Sequence, residues 1–204
     1  FISPVRIPLS LSSNFGELRP DHFHSGIDIK TQGVTGKEVV AAARGYVYRI
    51  SVSPGGFGKA LYLRHPNGYS TVYAHLDKFT PEIEEYLISR QYEEKSFMVT
   101  LWPPKEKFHF EQGDVIAYSG NSGSSAGPHL HYEIRKTESE IPVNPFLFEF
   151  GISDELKPVI DRLVIYPVSE NTLINNRKSS LSLGVSGSNG KFILSSKNEI
   201  NISG

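Results

Sequence analysis

Three short segments carry the side chains with which this chain can do chemistry. His24-Ser25-Gly26-Ile27-Asp28 offers an imidazole and a carboxylate four residues apart. On a straight strand they would share a face but lie about 13 Å apart, too far for one metal ion. Gly26 permits a bend that closes this gap. His129-Leu130-His131 puts two imidazoles on one strand face, about 6.6 Å apart. Both can enter one cavity, one binding a metal and the other beyond bonding range. His75, in Tyr73-Ala74-His75-Leu76, is expected to share a strand face with Thr71 and Tyr73.

Imidazole nitrogen and carboxylate oxygen suit zinc, and three protein ligands plus a water describe a catalytic rather than a structural site. Zinc lowers the pKa of its water from about 15.7 toward about 7. A neutral histidine beside that water can take a proton or hold a developing oxyanion. Each motif alone has a plainer explanation, because strand faces carry exposed histidines for no chemical reason. The metal reading rests on their combination.

These residues need strands to position them, and the chain supplies many short ones. Residues 129–135 alternate, with Leu130, Tyr132 and Ile134 on one face and His129, His131, Glu133 and Arg135 on the other. Tyr46 to Val52 is expected to alternate too, with Tyr46, Tyr48, Ile50 and Val52 together, until Pro54-Gly55-Gly56-Phe57-Gly58 breaks the run. Asn67-Gly68 between two β-rich runs marks a hairpin. Short strands with glycine-rich turns read as an antiparallel all-β sandwich or barrel. Thr80-Pro81, followed by Glu82, Glu84 and Glu85, predicts one helix over about 81–93, with Ile83, Tyr86 and Leu87 on one face.

The 204 residues allow one large domain, or one domain plus a fragment. We expect residues 1–150 to form the main domain. Residues 151–204, rich in Ser and Asn, are expected to begin a second β domain, whole or truncated, that would fold poorly alone. A net charge of -1, from 21 basic and 22 acidic residues, argues against a nucleic-acid partner bound through a basic field. No apolar run is long enough to span a membrane. The lack of cysteine excludes a disulfide scaffold and a thiol nucleophile. Position 1 is Phe rather than Met, so a signal or lipid anchor is expected to lie before it.

At this point the motifs resemble a family. His24-Ser25-Gly26-Ile27-Asp28, Tyr73-Ala74-His75-Leu76 and Gly127-Pro128-His129-Leu130-His131 look like those of the lysostaphin-type (beta-lytic) zinc metallopeptidases, which are peptidoglycan endopeptidases. The similarity includes Asn14-Phe15-Gly16-Glu17-Leu18-Arg19, Val40 to Gly45, Tyr118 to Gly123 and Pro142-Val143-Asn144-Pro145, and so covers about residues 10–147. It implies a compact two-sheet antiparallel β core crossed by a groove, to which this sequence adds one helical insertion and a C-terminal β extension. It implies one zinc ion per chain, held by His24, Asp28 and His131. His75 and His129 would be the two histidines beside its water, with general-base and oxyanion-stabilising duties. The substrate would be a peptide bond in the stem or cross-bridge of peptidoglycan, in the periplasm or cell envelope after export.

Some relatives lack ligands and activate other wall hydrolases. The alternative is therefore a silent wall-binding or amidase-activating module, with other hydrolases or divisome-type proteins as partners. All five positions are filled here, which favours an enzyme. Residues 80–110 replace a link that is brief in shorter relatives. We expect this insert to border the groove and narrow substrate choice, the competing reading being cover for a sheet edge. Asn121 and Tyr73 are candidates for binding substrate, through its backbone and its oxyanion respectively, against plainer turn and packing roles. Ser122 is read like Asn121. Glu133 can orient a ligand from behind or pair with Arg135. His22 is an alternative ligand or an exposed neighbour, His65 a hairpin-end residue, and His109 has no partner by spacing.

Overall fold

β-branched and aromatic runs between turns form antiparallel strands, and the computed structural model describes residues 1–19, 22–148, 159–188, 190–195 and 199–204. Two units make up the chain, Phe1–Ile152 and Ser153–Gly204. The boundary expected near residue 150 lies outside the described residues. The first unit begins with β1 (Leu11–Ser13), β2 (Ile27–Lys30), β3 (Glu38–Val40), β4 (Gly45–Val52), β5 (Lys59–Arg64) and the long β6 (Tyr69–Phe79). The helix α1 (Pro81–Glu94) follows, then β7 (Val99–Leu101), β8 (His109–Phe110), β9 (Val115–Ser119), β10 (His129–Lys136) and β11 (Pro142–Val143). The central order is β1-β2-β10-β6-β5-β4-β7, and each of these pairings is antiparallel. β9 joins β3 to the far end of β6.

Alternation sorts the two faces of the central strands. Leu130, Tyr132 and Ile134 are fully buried in one cluster with Ile29, Leu61, Leu63 and Tyr73. The opposite face carries a smaller group, Tyr48, Ala60, Tyr62, Val72 and Ala74, with Phe57 against it. Two departures from simple alternation bear on the site. In β4 the register against β5 shifts between Val47 and Arg49. Val47, Ile50 and Val52 therefore enter the main cluster while Tyr46 and Tyr48 pack on the other face, which corrects the expected grouping of Tyr46, Tyr48, Ile50 and Val52. In β6, Leu61 faces Tyr73 but Lys59 faces Leu76, so β6 holds one extra residue there. His75 takes a left-handed φ of 59° at this bulge.

The helix forms where Thr80 leads into Pro81 and runs to Glu94. Glu84 accepts a hydrogen bond from the Phe79 amide at 2.8 Å and pairs with Lys59 at 3.1 Å. Ile83 and Leu87 are buried in the main cluster, with Tyr86 packed against it. Beyond the helix, β7 pairs with β4 at the edge of the central sheet. The second unit holds β12 (Arg162–Ile165), β13 (Leu173–Ile174), β14 (Leu181–Ser188), β15 (Lys191–Leu194) and β16 (Ile202–Ser203). β14 pairs with β12 and β15, and β13 with β16. Among the described residues of this unit, Ile174 is its one buried hydrophobic side chain.

His65 is more than a hairpin-end residue. It is buried, with Nδ1 donating to the Arg44 carbonyl at 2.9 Å and the Thr71 hydroxyl 2.8 Å from Nε2. Burial pushes its pKa down, and the bond to Arg44 opposes this only in part. The folded chain thus holds a neutral ring that the unfolded chain protonates below about pH 6.5. The stability it contributes is complete above that pH and is lost as pH falls below it. Urea unfolding from pH 7.5 to 5.5 should show a steeper loss of stability for the wild type than for His65→Gln. Identical slopes would remove His65 from this account.

Candidate metal and catalytic site

Register brings the first two donors together. Asp28 on β2 lies directly opposite His131 on β10. The chain bends at Gly26, just before β2 begins, which brings His24 back beside Asp28. Gly26 sits hard against β10, where a Cβ would lie 2.3 Å from the Tyr132 carbonyl oxygen. The result is a small triangle. His24 Nε2 lies 3.0 Å from His131 Nδ1 and 3.2 Å from Asp28 Oδ1, and His131 Nδ1 lies 2.9 Å from Asp28 Oδ1.

The remaining atoms of these groups are already engaged. His24 Nδ1 donates to the Asn14 carbonyl at 2.8 Å, and His131 Nε2 donates to Glu133 Oε1 at 2.8 Å. Arg19 donates to Asp28 Oδ2 at 3.2 Å. With their other nitrogens donating, neutral His24 and His131 turn lone pairs toward a carboxylate oxygen. Three acceptors that close call for positive charge between them. Protonated rings are the other way to supply it: hydrogen bonds from His129, His131 and His24 then hold the Asp28 pKa far below the usual carboxylate range, against the effect of burial. Burial opposes charge on His131, yet Asp28 and Glu133 raise its pKa. A tetrahedral ion about 2.0–2.1 Å from each donor separates its ligands by about 3.3–3.4 Å. The triangle is close to that size, so these residues fit a metal ion.

Glu133 is completely buried and holds the far side of His131. It also accepts from Ser25 and from Arg135 Nε. Burial would raise its pKa, but His131 and Arg135 outweigh it and hold it at about 2. Both readings of Glu133 are therefore combined in one carboxylate.

The two other histidines border the same cavity, of about 430 Å³. His129 Nδ1 donates to the Gly127 carbonyl at 2.8 Å, leaving Nε2 3.6 Å from Asp28 Oδ1. His75 Nδ1 donates to the Ser122 carbonyl at 2.8 Å. Their ring centroids are 4.7 Å apart. Burial lowers the His75 pKa to about 4, against the bond to Ser122. On His129 burial is outweighed by Asp28 and Gly127, and its pKa is raised. The loop that carries Phe57 and the loop 120–128 interlock through Gly58 and Gly123, both at positive φ. A Cβ on Gly123 would lie 2.3 Å from the Gly58 nitrogen. Phe57 stacks on His131 at 5.0 Å, and its carbonyl accepts from the His75 amide at 2.9 Å.

Two expected substrate residues are not in this cavity. Tyr73 is fully buried on the opposite face, its hydroxyl accepting from the Ala42 amide at 2.9 Å and lying 3.1 Å from Thr71 Oγ1. The bulge separates it from His75, which turns to the other face. Asn121 is exposed and does not line the cavity. Ser122 braces the loop, its hydroxyl donating to the Leu76 carbonyl. His22 lines the cavity outside the triangle. Spacing overlooked Phe57 and gave Arg19 no role of its own. No residue of the 80–110 insert lines this cavity, although Thr100 borders a neighbouring hollow that shares Gly56 and Phe57 with it.

A family model matches the segments that hold these residues. It is described as peptidase family M23 and matches residues 22–89 and 103–145, more than half of the chain. The chain belongs to peptidase family M23. The gap in the match, 90–102, falls inside the insert. An uncharacterized metalloprotease of Haemophilus influenzae is 34% identical over 118 residues, covering 58% of this chain and 19% of that protein. The DD-carboxypeptidase/endopeptidase Mpg of Neisseria meningitidis is 34% identical over 140 residues, covering 66% of this chain and 26% of its own length. The chain thus spans about a fifth to a quarter of these relatives. A zinc-containing peptidase from Vibrio cholerae matches the fold with a TM-score of 0.51 and 26% identity, over 69% of this chain and 37% of that one. No described helix is long and apolar enough to cross a membrane.

Glu133→Gln should keep the fold but weaken metal binding about 10–100-fold, because the amide holds His131 less well. Competition with a chromogenic chelator measures this, and unchanged affinity would remove Glu133 from the metal's support.

Proposed function

We propose that the chain is a zinc-dependent endopeptidase that hydrolyses peptide bonds in the stem or cross-link peptides of peptidoglycan. The observation that carries this reading is the triangle of His24 Nε2, Asp28 Oδ1 and His131 Nδ1, with sides of 2.9–3.2 Å. Two imidazoles and one carboxylate suit zinc and leave its fourth position open. When bound, zinc supplies a water that ionises near neutral pH and polarises a carbonyl. The rest falls to the chain. Asn14, Glu133 and Arg19 keep the three donors aimed. His129 and His75 each commit Nδ1 to a backbone carbonyl, which leaves Nε2 for the cavity. Each neutral ring can accept the nucleophile's proton. The ring that takes it becomes a donor to the oxyanion or to the leaving amine. A substrate of this kind lies outside the cytoplasm, so we place the chain in the periplasm or cell envelope.

The peptide class is supported by family membership and by the endopeptidase named among the relatives. Purified protein should release fragments from peptidoglycan, lose this activity with a chelator and regain it with zinc. His131→Ala should abolish turnover, and His129→Ala should lower kcat about 10²–10⁴-fold. Mass spectrometry of digested muropeptides reads both. Turnover that survives His131→Ala, or wall binding without released fragments, would overturn the proposal.

A further inference from the structure

The sheet face that holds the donors continues well beyond them. On β6, Ala74 faces His131, Val72 faces Glu133 and Ser70 faces Arg135. On β5, Tyr62 and Arg64 face Val72 and Ser70. The guanidinium of Arg49 lies 3.6 Å from the Tyr62 ring centroid, and that of Arg64 lies 4.5 Å from the Tyr48 ring. At its far end the face opens into a second cavity of about 440 Å³, lined in part by Arg44, Tyr46, Arg64, Lys105, His109 and Glu111. Lys105 Nζ is 5.3 Å from the centroid of Tyr46, whose ring is 6.0 Å from that of His109.

Three permanent cations thus border this cavity with one carboxylate, Glu111. Among the described residues, Arg44, Arg64 and Lys105 make no ion pair. Arg64 Nε is buried with no hydrogen-bond partner. Guanidinium forks match carboxylate and phosphate oxygens. Ser70 lies four residues from Ala74, about 13 Å along the strand. An extended peptide crosses that distance in about four residues.

We propose that this cavity is an anion subsite for the substrate cut at the metal, holding a peptide carboxylate about four residues from the scissile bond. The inference rests on the endopeptidase reading and deepens it. It also gives the insert a role, since Lys105 and His109 belong to it: the insert selects substrate at this subsite rather than at the metal.

The test uses zinc-loaded protein and two substrates, cross-linked muropeptides with free carboxylates and the same muropeptides after chemical amidation. Amidation should raise KM on the order of tenfold and leave kcat within about twofold. Arg64→Gln should raise KM for the free acids by a similar factor and leave the amidated form unchanged. Lys105→Gln, on an exposed segment, should act in the same direction and guards against a folding defect in the first variant. Equal KM values for the two forms in the wild type, or a preference that survives both substitutions, would overturn the subsite. Calorimetric titration with inorganic phosphate separates a free anion from a substrate group. Phosphate binding that depends on Arg64, alongside equal KM values, would also overturn the link to substrate. If neither form is cut, the endopeptidase reading fails. The calorimetric affinities of the two forms then decide the subsite by themselves.

Discussion

Three acceptor atoms, from His24, Asp28 and His131, are held 2.9–3.2 Å apart with their lone pairs converging. Left to themselves they would repel. The surrounding chain prevents them from relaxing by engaging every other polar atom of the three groups. Asn14 takes the His24 proton, Glu133 takes the His131 proton and Arg19 takes the outer oxygen of Asp28. The arrangement is therefore specified from behind, and it creates a demand for positive charge that a metal ion meets. Glu133 matters most in this respect. A buried carboxylate is costly, and Arg135 with its own partner Glu140 offsets the cost at the back of the site.

The remaining histidines depend on a different device, local irregularity held in place by regular neighbours. His75 occupies a backbone conformation that costs an ordinary residue about 1–3 kcal/mol. It persists because its amide is tied to Phe57 and its ring to Ser122, on two loops that interlock through glycines. Behind it, Leu76, Tyr73 and Leu61 are fully buried, so the strand cannot slide to relieve the bulge. The core thus supplies the rigidity, the strands carry most of the side chains, and the loops add the carbonyls that aim them, a clear division of roles.

The same division explains the two faces of the central sheet. One face is filled by the main cluster. The other carries the donors, then a smaller buried cluster whose tyrosine rings are overlaid by arginines, then a cavity bordered by unpaired cations. The insert meets this sheet at its edge: α1 buries Ile83 and Leu87 in the main cluster, while β7 caps β4. Cover for a sheet edge is thus one of its roles, and its loop toward β8 brings Lys105 to the cavity at the end of the other face.

Much of this was legible in the linear chain. The alternation of residues 129–135 separated Leu130, Tyr132 and Ile134 from the histidines, because period-two patterning survives wherever a strand is unbroken. Thr80-Pro81 marked the helix start through local backbone chemistry alone. Residue types and spacing singled out His24, Asp28, His75, His129 and His131 as a set. What they could not convey was facing. Tyr73 and His75 look like partners on one face, yet an extra residue opposite β5 sends one into the core and the other into the cavity. Tyr48 is displaced in the same way by the shift in β4. Phe57 became visible only when two loops distant in sequence closed on each other. A bulge is a property of a pair of strands, so its position is decided by the partner's register and by core packing, which local periodicity does not contain.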